Sequence, residues 1–259
     1  MAVVPLKKMV REDVDRLVGF IRTCVEDAGA EGVVVGISGG VDSAVVVKLC
    51  AEALGGDRVL AVFMPTALTP ADDYRQTKQM CREWGVNYSA LSIQPAVDAF
   101  SGMLLTGKEA PLEKGNIMAR CRMIVLYDKA KKENSIVVGT TNRSELLMGY
   151  MTKFGDGAED IMPMSGIYKT QVWELAELLG VPKEVIDKVP TAGLWEGQSD
   201  EEEMGITYHD LDRALNAIDQ NASDDEVASE GGITAAKVTE IRDQIRRMEH
   251  KRLPARTPQ

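Results

Sequence analysis

Four short strand-like runs punctuate the first half of this chain: Val33–Ile37, Val59–Met64, Tyr88–Ile93 and Ile136–Gly139. Each is too short for a stable helix, and the first two are almost unbroken in apolar character, as strands covered on both faces are. Between them lie segments with helical spacing. Residues 9–28 place Val14, Leu17, Ile21, Val25 and Ala28 at steps of three and four. Helices are also expected over 43–54, stopped by Gly55-Gly56, and over 71–84, 95–105 and 116–132, with Thr106–Gly115 as an exposed loop. This alternation predicts an α/β fold: a doubly wound, mostly parallel sheet with helices on both faces.

Beyond residue 140 the strand signal stops and a helical C-terminal part is expected. Residues 152–166 read as a loop. Helices are expected over 169–180, 182–188, 208–220, 224–230 and 234–249, and the tail as extended. Residues 189–205 read as a long loop carrying Pro190, Gly193, Gly197 and the acidic run Asp200–Glu203, whose residues 201–203 are expected on a solvated face. No internal repeat appears, so residues 1–259 are expected to form a single domain.

The balance of 30 basic and 40 acidic residues gives a net charge of −10, which argues against broad nucleic-acid or anionic-membrane binding. No segment approaches the roughly 18–20 apolar residues of a membrane helix, and the N-terminus lacks a signal-peptide core. The dispersed cysteines Cys24, Cys50, Cys81 and Cys121 read as reduced thiols of a cytoplasmic protein rather than a disulfide framework or zinc site.

The strongest local signal is Gly36-Ile37-Ser38-Gly39-Gly40-Val41-Asp42-Ser43, between the first strand and a helix. Such a turn aims backbone N–H groups at one point, where the helix dipole adds positive charge, and Ser38 and Ser43 can donate further hydrogen bonds. It lacks the lysine of a Walker A loop. A carboxylate beside bound phosphates repels them unless a cation lies between, which makes Asp42 a candidate Mg²⁺ ligand. A first-turn acid complementing the helix dipole is the competing reading. The string resembles the signature of the ATP pyrophosphatase (PP-loop) superfamily, which has the adenine nucleotide alpha hydrolase-like fold and cleaves ATP between its α and β phosphates.

Four further stretches carry chemistry-bearing side chains. In residues 115–130, Asn116, Arg120, Met123 and Tyr127 share one helical face, while Arg122 lies about 200° round the axis and reads as a solvated arginine. In residues 139–150, Thr140 falls at the same sheet edge as the glycine-rich turn, and Glu145 is either a second carboxylate there or part of an N-capping turn. Residues 151–172 hold Lys153, Asp156 between two glycines, Asp160 and Lys169. Residues 188–212 carry Thr191, after Pro190, at the start of the long loop, which is placed to close over the site as a lid.

Taken together, the five stretches resemble the NAD synthetase family in its short, ammonia-dependent form, over nearly the whole chain. The resemblance implies ATP contacts from Gly36–Ser43, Thr140, Lys169 and Thr191, and magnesium held by Asp42 and Glu145. It implies deamido-NAD contacts from Arg120, Lys153, Asp160, His250 and Lys251, with Asp156 and Lys169 acting in catalysis, Asp156 near the ammonia position. A homodimer with the dinucleotide near the subunit interface is implied, and no glutaminase domain is expected. Gly193 stands where the family often has an acid, so that acid's role is lost. The implied reaction is ATP-dependent amidation of deamido-NAD through an acyl-adenylate, with AMP and pyrophosphate released. Another PP-loop amidotransferase, a tRNA-thiolating enzyme and a non-catalytic nucleotide sensor are the alternatives.

Overall fold

The structure, a computed structural model, describes residues 3–107, 110–191, 193–195, 197–255 and 257. Parts of the expected 106–115 loop, of the expected 189–205 loop and of the tail therefore lie outside the described residues. Helix α1 (Arg11–Asp27) leads into β1 (Gly32–Gly36), α2 (Val41–Leu54), β2 (Val59–Phe63), α3 (Ala71–Glu83), β3 (Asn87–Ala90), α4 (Gln94–Met103), α5 (Pro111–Lys132) and β4 (Ser135–Val138). Then come α6 (Arg143–Met148), α7 (Lys169–Leu178), α8 (Lys183–Ile186), α9 (Asp200–Met204), α10 (Tyr208–Asp219), α11 (Asp224–Gly231), α12 (Ala235–Arg247) and α13 (Glu249–Arg252).

The four strands form one parallel sheet in the order β3-β2-β1-β4. Strand side chains alternate between faces, and the two faces bury different layers. Val33 and Val35 of β1 and Ala61 and Phe63 of β2 pack with α1, α2 and α7, whereas Val34 and Val62 pack with α4 and α5. The expected stripe of α1 is the buried one: Val14, Leu17, Ile21 and Val25 all lie in the core. A second core joins α6, α10, α11 and α12 around Tyr208, Leu211 and Leu215. Cys50, Cys81 and Cys121 are buried and Cys24 is half-buried, all as free thiols; burial pushes the Cys81 thiol up to about 12. No helix among the described residues is long and apolar enough to cross a membrane.

Two expectations are corrected. Helix α5 starts at Pro111 rather than 116, because proline in the first turn loses no helical hydrogen bond and presets φ. The expected loop 189–205 contains α9, which starts at Asp200 behind Ser199 and stops at Gly205 in the left-handed conformation (φ 61°).

The strand order places the site. From β1 the chain winds outward through β2 and β3, then returns to add β4 on the other side of β1. The carboxyl ends of β1 and β4 thus flank the switch point, where open α/β sheets bind ligands. Val35 pairs with Val138, so the turns after Gly36 and after Gly139 leave the sheet side by side.

Candidate functional site

The glycine-rich turn after β1 folds on its own serines. Ser43 Oγ accepts from the Ser38 N–H (3.1 Å) and donates to the Gly40 carbonyl (3.0 Å), while Ser38 Oγ accepts from the Gly40 N–H (3.2 Å). Gly40 is the N-cap of α2 and supplies no side chain to it. The first-turn amides of Val41, Asp42 and Ser43 are therefore the unpaired donors of a helix start, aimed at the switch point. Thr140 and the buried Thr141 emerge beside this turn at the end of β4.

Three helix starts bring charge to the rim. Asp42 lies in the first turn of α2, Glu145 in the first turn of α6, and Lys169 opens α7. The Lys169 ammonium, only 3% exposed, donates to Asp42 Oδ2 and stands 3.7 Å from Glu145 Oε1. Asn142 ties the two acids together: its Nδ2 donates to Asp42 Oδ1 (2.8 Å), and its Oδ1 accepts from the Glu145 N–H (3.0 Å). Glu145 Oε2 accepts from the Asn142 N–H (3.2 Å), so the N-capping reading and the second-carboxylate reading of Glu145 hold at once. Burial and the Asp42 charge push the Glu145 carboxyl up to about 8 against the pull of Lys169. Burial disfavours the Lys169 charge, but Asp42 and Glu145 outweigh it and raise that pKa.

Beneath these groups lies a network that the sequence did not reveal. Asp212, fully buried on α10, accepts from Ser144 Oγ (2.5 Å), the Thr170 N–H (2.8 Å) and Thr170 Oγ1 (2.8 Å). Ser144 Oγ in turn accepts from the Lys169 N–H (3.0 Å). Asp200, which heads the acidic run, is 3% exposed; one oxygen accepts from Tyr208 OH (3.2 Å) and the other is buried without a partner among the described residues. The run is not simply solvated: Glu201 accepts from the Tyr208 N–H (2.7 Å) and Glu203 from Tyr150 OH (2.5 Å). No three or more metal-ligating side chains converge among the described residues. Magnesium needs only one or two protein carboxylates beside phosphate oxygens and water, and the oxygen donors of Asp42 and Glu145 fit that requirement.

A second cluster forms where α5 meets residues 152–160. The predicted face of α5 makes three of the contacts: Asn116 accepts from Thr152 Oγ1 (2.9 Å), Arg120 donates to the Lys153 carbonyl (3.2 Å), and Tyr127 OH donates to Asp160 Oδ1 (3.2 Å). Asp160 Oδ2 also accepts from the Val137 N–H (2.7 Å) on the outer edge of β4, where Ile161 pairs with Val138. Lys153 donates to the His250 carbonyl, and Lys251 donates to the carbonyls of Gly149 and Met151, both at 2.6 Å. Asp156 accepts from the Thr152 N–H (2.8 Å). The Asp156 side chain is exposed, yet the protein packed around it pushes its carboxyl up, while that N–H, Arg122 and Lys251 pull it down. The expected solvated Arg122 is corrected. Arg122 is half-buried, reaches the Met64 carbonyl (3.4 Å) and faces the Asp156 charge, and burial lowers its pKa. A helical wheel separates it from Arg120 but does not say that the sheet edge covers that side. Thr191 is exposed, with Oγ1 accepting from the Gly193 N–H (3.1 Å), and Leu194 packs over Gly115 of α5.

Glu159, unremarked in the sequence, packs its Cγ 2.5 Å from where a Cβ at Gly139 would sit. Burial and the charges of Asp156 and Asp160 push its carboxyl up to about 7. A carboxyl with a raised folded pKa stabilises below its unfolded value, near 4.5, and that stability is lost as pH rises through about 7. Glu159→Gln is therefore expected to match the parent near the unfolded value and to be more stable above about pH 7, by about 2–3 kcal/mol. Urea unfolding at both pH values checks this; equal stabilities at the higher pH would refute it.

The parallel sheet, its strand order and the glycine-rich turn at its switch point are those of an α/β protein of the PP-loop fold. The chain belongs to the NAD synthase family, whose model matches residues 13–255. It is 43% identical over 247 residues to the NH(3)-dependent NAD(+) synthetase of Methanosarcina acetivorans, covering 95% of this chain and 96% of that one. It is 44% identical over 244 residues to the enzyme of that name from Thermococcus kodakarensis, covering 93% and 94%. Among solved structures, the NMN synthetase of Francisella tularensis superposes with a TM-score of 0.84 at 37% identity, covering 96% of this chain and 98% of that one. The NH3-dependent NAD synthetase of Campylobacter jejuni, in complex with the nitrate ion, gives 0.81 at 28% identity, covering 96% and 98%.

Proposed function

We propose that this chain is a carbon–nitrogen ligase that converts deamido-NAD to NAD with ATP and ammonia. The observation carrying this reading is the N–H cradle at the switch point with Asp42, Glu145 and Lys169 on its rim, in a chain of the NAD synthase family. The ATP phosphates lie against Gly36–Ser43, with Thr140, Lys169 and Thr191 as further contacts. The nicotinate end of deamido-NAD lies toward the second cluster, held by Arg120, Lys153, Asp160, His250 and Lys251.

A nicotinate carboxylate oxygen attacks the α-phosphorus, the bond to the bridging oxygen of the β-phosphate breaks, and pyrophosphate leaves as an acyl-adenylate forms. The α2 amides stabilise charge on the departing oxygens. The Lys169 ammonium, buried and held by two acids, orients Asp42 and Glu145 and offsets phosphate charge. Asp42 and Glu145 would hold Mg²⁺, which when bound neutralises polyphosphate charge. Ammonia then attacks the acyl carbon, the bond to the AMP oxygen breaks, and the nitrogen loses a proton. Asp156, with its raised pKa, binds ammonium and accepts the proton whose loss frees ammonia for attack, and the proton lost by the adduct passes to solvent. A homodimer and a cytoplasmic location complete the proposal. Exposed Phe100, Met103, Leu104, Leu112 and Ile124 around α4 and α5 support the first, and the free thiols support the second.

Incubation with ATP, Mg²⁺ and deamido-NAD is expected to yield NAD and AMP with ammonium and little with glutamine. Nicotinate mononucleotide is the substrate control, because one similar structure bears the name NMN synthetase. No product from deamido-NAD with ammonium overturns the reading.

A further inference from the structure

Lys188 ends the segment that follows α8 and begins the 189–199 loop; neither it nor its partner Asp73 stands out in the sequence. Its ammonium donates to the Gly39 carbonyl (3.0 Å) and to Asp73 Oδ1 (2.7 Å), partners 149 and 115 residues away. Asp73, in the first turn of α3, lies directly on the glycine: a Cβ at Gly39 would sit 3.0 Å from its Cγ. Gly39 has φ +94°, a conformation glycine reaches without strain. Both side chains are largely covered, Lys188 30% and Asp73 16% exposed.

A trans peptide is planar, with its C=O and the following N–H pointing in opposite directions. Fixing the Gly39 carbonyl therefore fixes the Gly40 N–H, which closes the turn on Ser38 Oγ (3.2 Å). Glycine on both sides leaves this peptide freer to rotate than its neighbours, and rotation would break the Gly40 bond to Ser38 Oγ and turn a carbonyl toward that hydroxyl. We infer that Lys188 is a positioning residue for the nucleotide: held by Asp73, it locks the Gly39–Gly40 peptide in the orientation that closes the phosphate turn on Ser38. It also ties the phosphate turn to the segment that follows α8. This rests on the nucleotide reading of Gly36–Ser43.

The test uses the full chain and its variants Lys188→Met, Lys188→Arg, Asp73→Asn and Ser43→Ala. ATP and pyrophosphate affinities are measured by titration calorimetry, alongside KM for ATP and for deamido-NAD and thermal midpoints. Lys188→Met is expected to weaken ATP and pyrophosphate about tenfold or more, the scale of a lost charge-assisted hydrogen bond. It is expected to raise KM for ATP while leaving KM for deamido-NAD in place. Asp73→Asn should weaken ATP less and add little to Lys188→Met, and Lys188→Arg should restore most of the affinity. Unchanged ATP affinity in Lys188→Met overturns the inference, as does an equal rise in both KM values with a lowered midpoint. Should Lys188→Met not fold, Asp73→Asn decides: unchanged ATP affinity there overturns the inference. If Ser43→Ala weakens ATP and the Lys188 variant does not, only this inference fails. If neither changes ATP affinity, the nucleotide reading falls as well.

Discussion

Lys169→Met is expected to lose turnover by about a thousandfold, the upper range for removing one preorganised electrostatic group, and to unfold at markedly lower denaturant. The stability loss follows from what the lysine leaves behind. Its ammonium is the cation in contact with Asp42 and near Glu145. Below about 8, Glu145 carries a proton, so the charge stranded by the substitution is that of Asp42, softened by one bond from Asn142. Removing one partner of a buried ion pair costs about 3–5 kcal/mol. The Asp42 side chain is 17% exposed, which places the expected cost at the lower end of that range. The loss should deepen at higher pH, because Glu145 then ionises as well and meets no ammonium. Guanidinium unfolding near pH 6.5 and near pH 9, with kcat at saturating substrate, checks both parts. A variant with parental stability at both pH values would show that Lys169 does not compensate these acids.

Much of this arrangement can be read from sequence because it is local. The runs at 33–37 and 59–64 specify buried strands by their own composition, and the turn at 36–43 specifies a cradle by its glycines and serines. The face of α5 carrying Asn116, Arg120 and Tyr127 follows from helical geometry, and those three side chains meet residues 152–160 together. Long-range pairings are another matter. Asn142 reaches Asp42 across 100 residues and Lys188 reaches Gly39 across 149, and no spacing rule links such positions. Asp200 is hidden differently: in sequence it is one of a run of acids, and only its burial against Tyr208 sets it apart from the more exposed acids that follow. Arg122 is hidden by the sheet edge above it.

Asp212 is the largest such case. Its two oxygens take three hydrogen bonds from Ser144 and Thr170, and Ser144 Oγ accepts a fourth from the Lys169 N–H. The carboxylate thereby joins the starts of α6 and α7 to α10, with Glu145 and Lys169 each one residue from a bonded partner. Burial pushes its pKa up, but the bonds from Ser144 and Thr170 and the nearby Lys169 charge favour the ionised form, and an anion at the start of α7 suits the helix dipole. Asp212→Ala would leave two hydroxyls and one N–H without this acceptor in a dry core, at about 1–3 kcal/mol per stranded group with some relaxation; a total near 4 kcal/mol is expected. Asp212→Asn keeps the volume and one acceptor but turns an amide N–H toward Ser144 Oγ, so about 1–2 kcal/mol is expected. The asparagine variant should nevertheless lose turnover well beyond its stability loss, because the Ser144 hydroxyl proton loses its acceptor and the spacing of Lys169 from Glu145 relaxes. Urea midpoints, kcat, and amide exchange at Lys169 and Thr170 measure these separately. A fully folded Asp212→Asn with parental kcat would mean that the ammonium and its acids hold their geometry without the network beneath them.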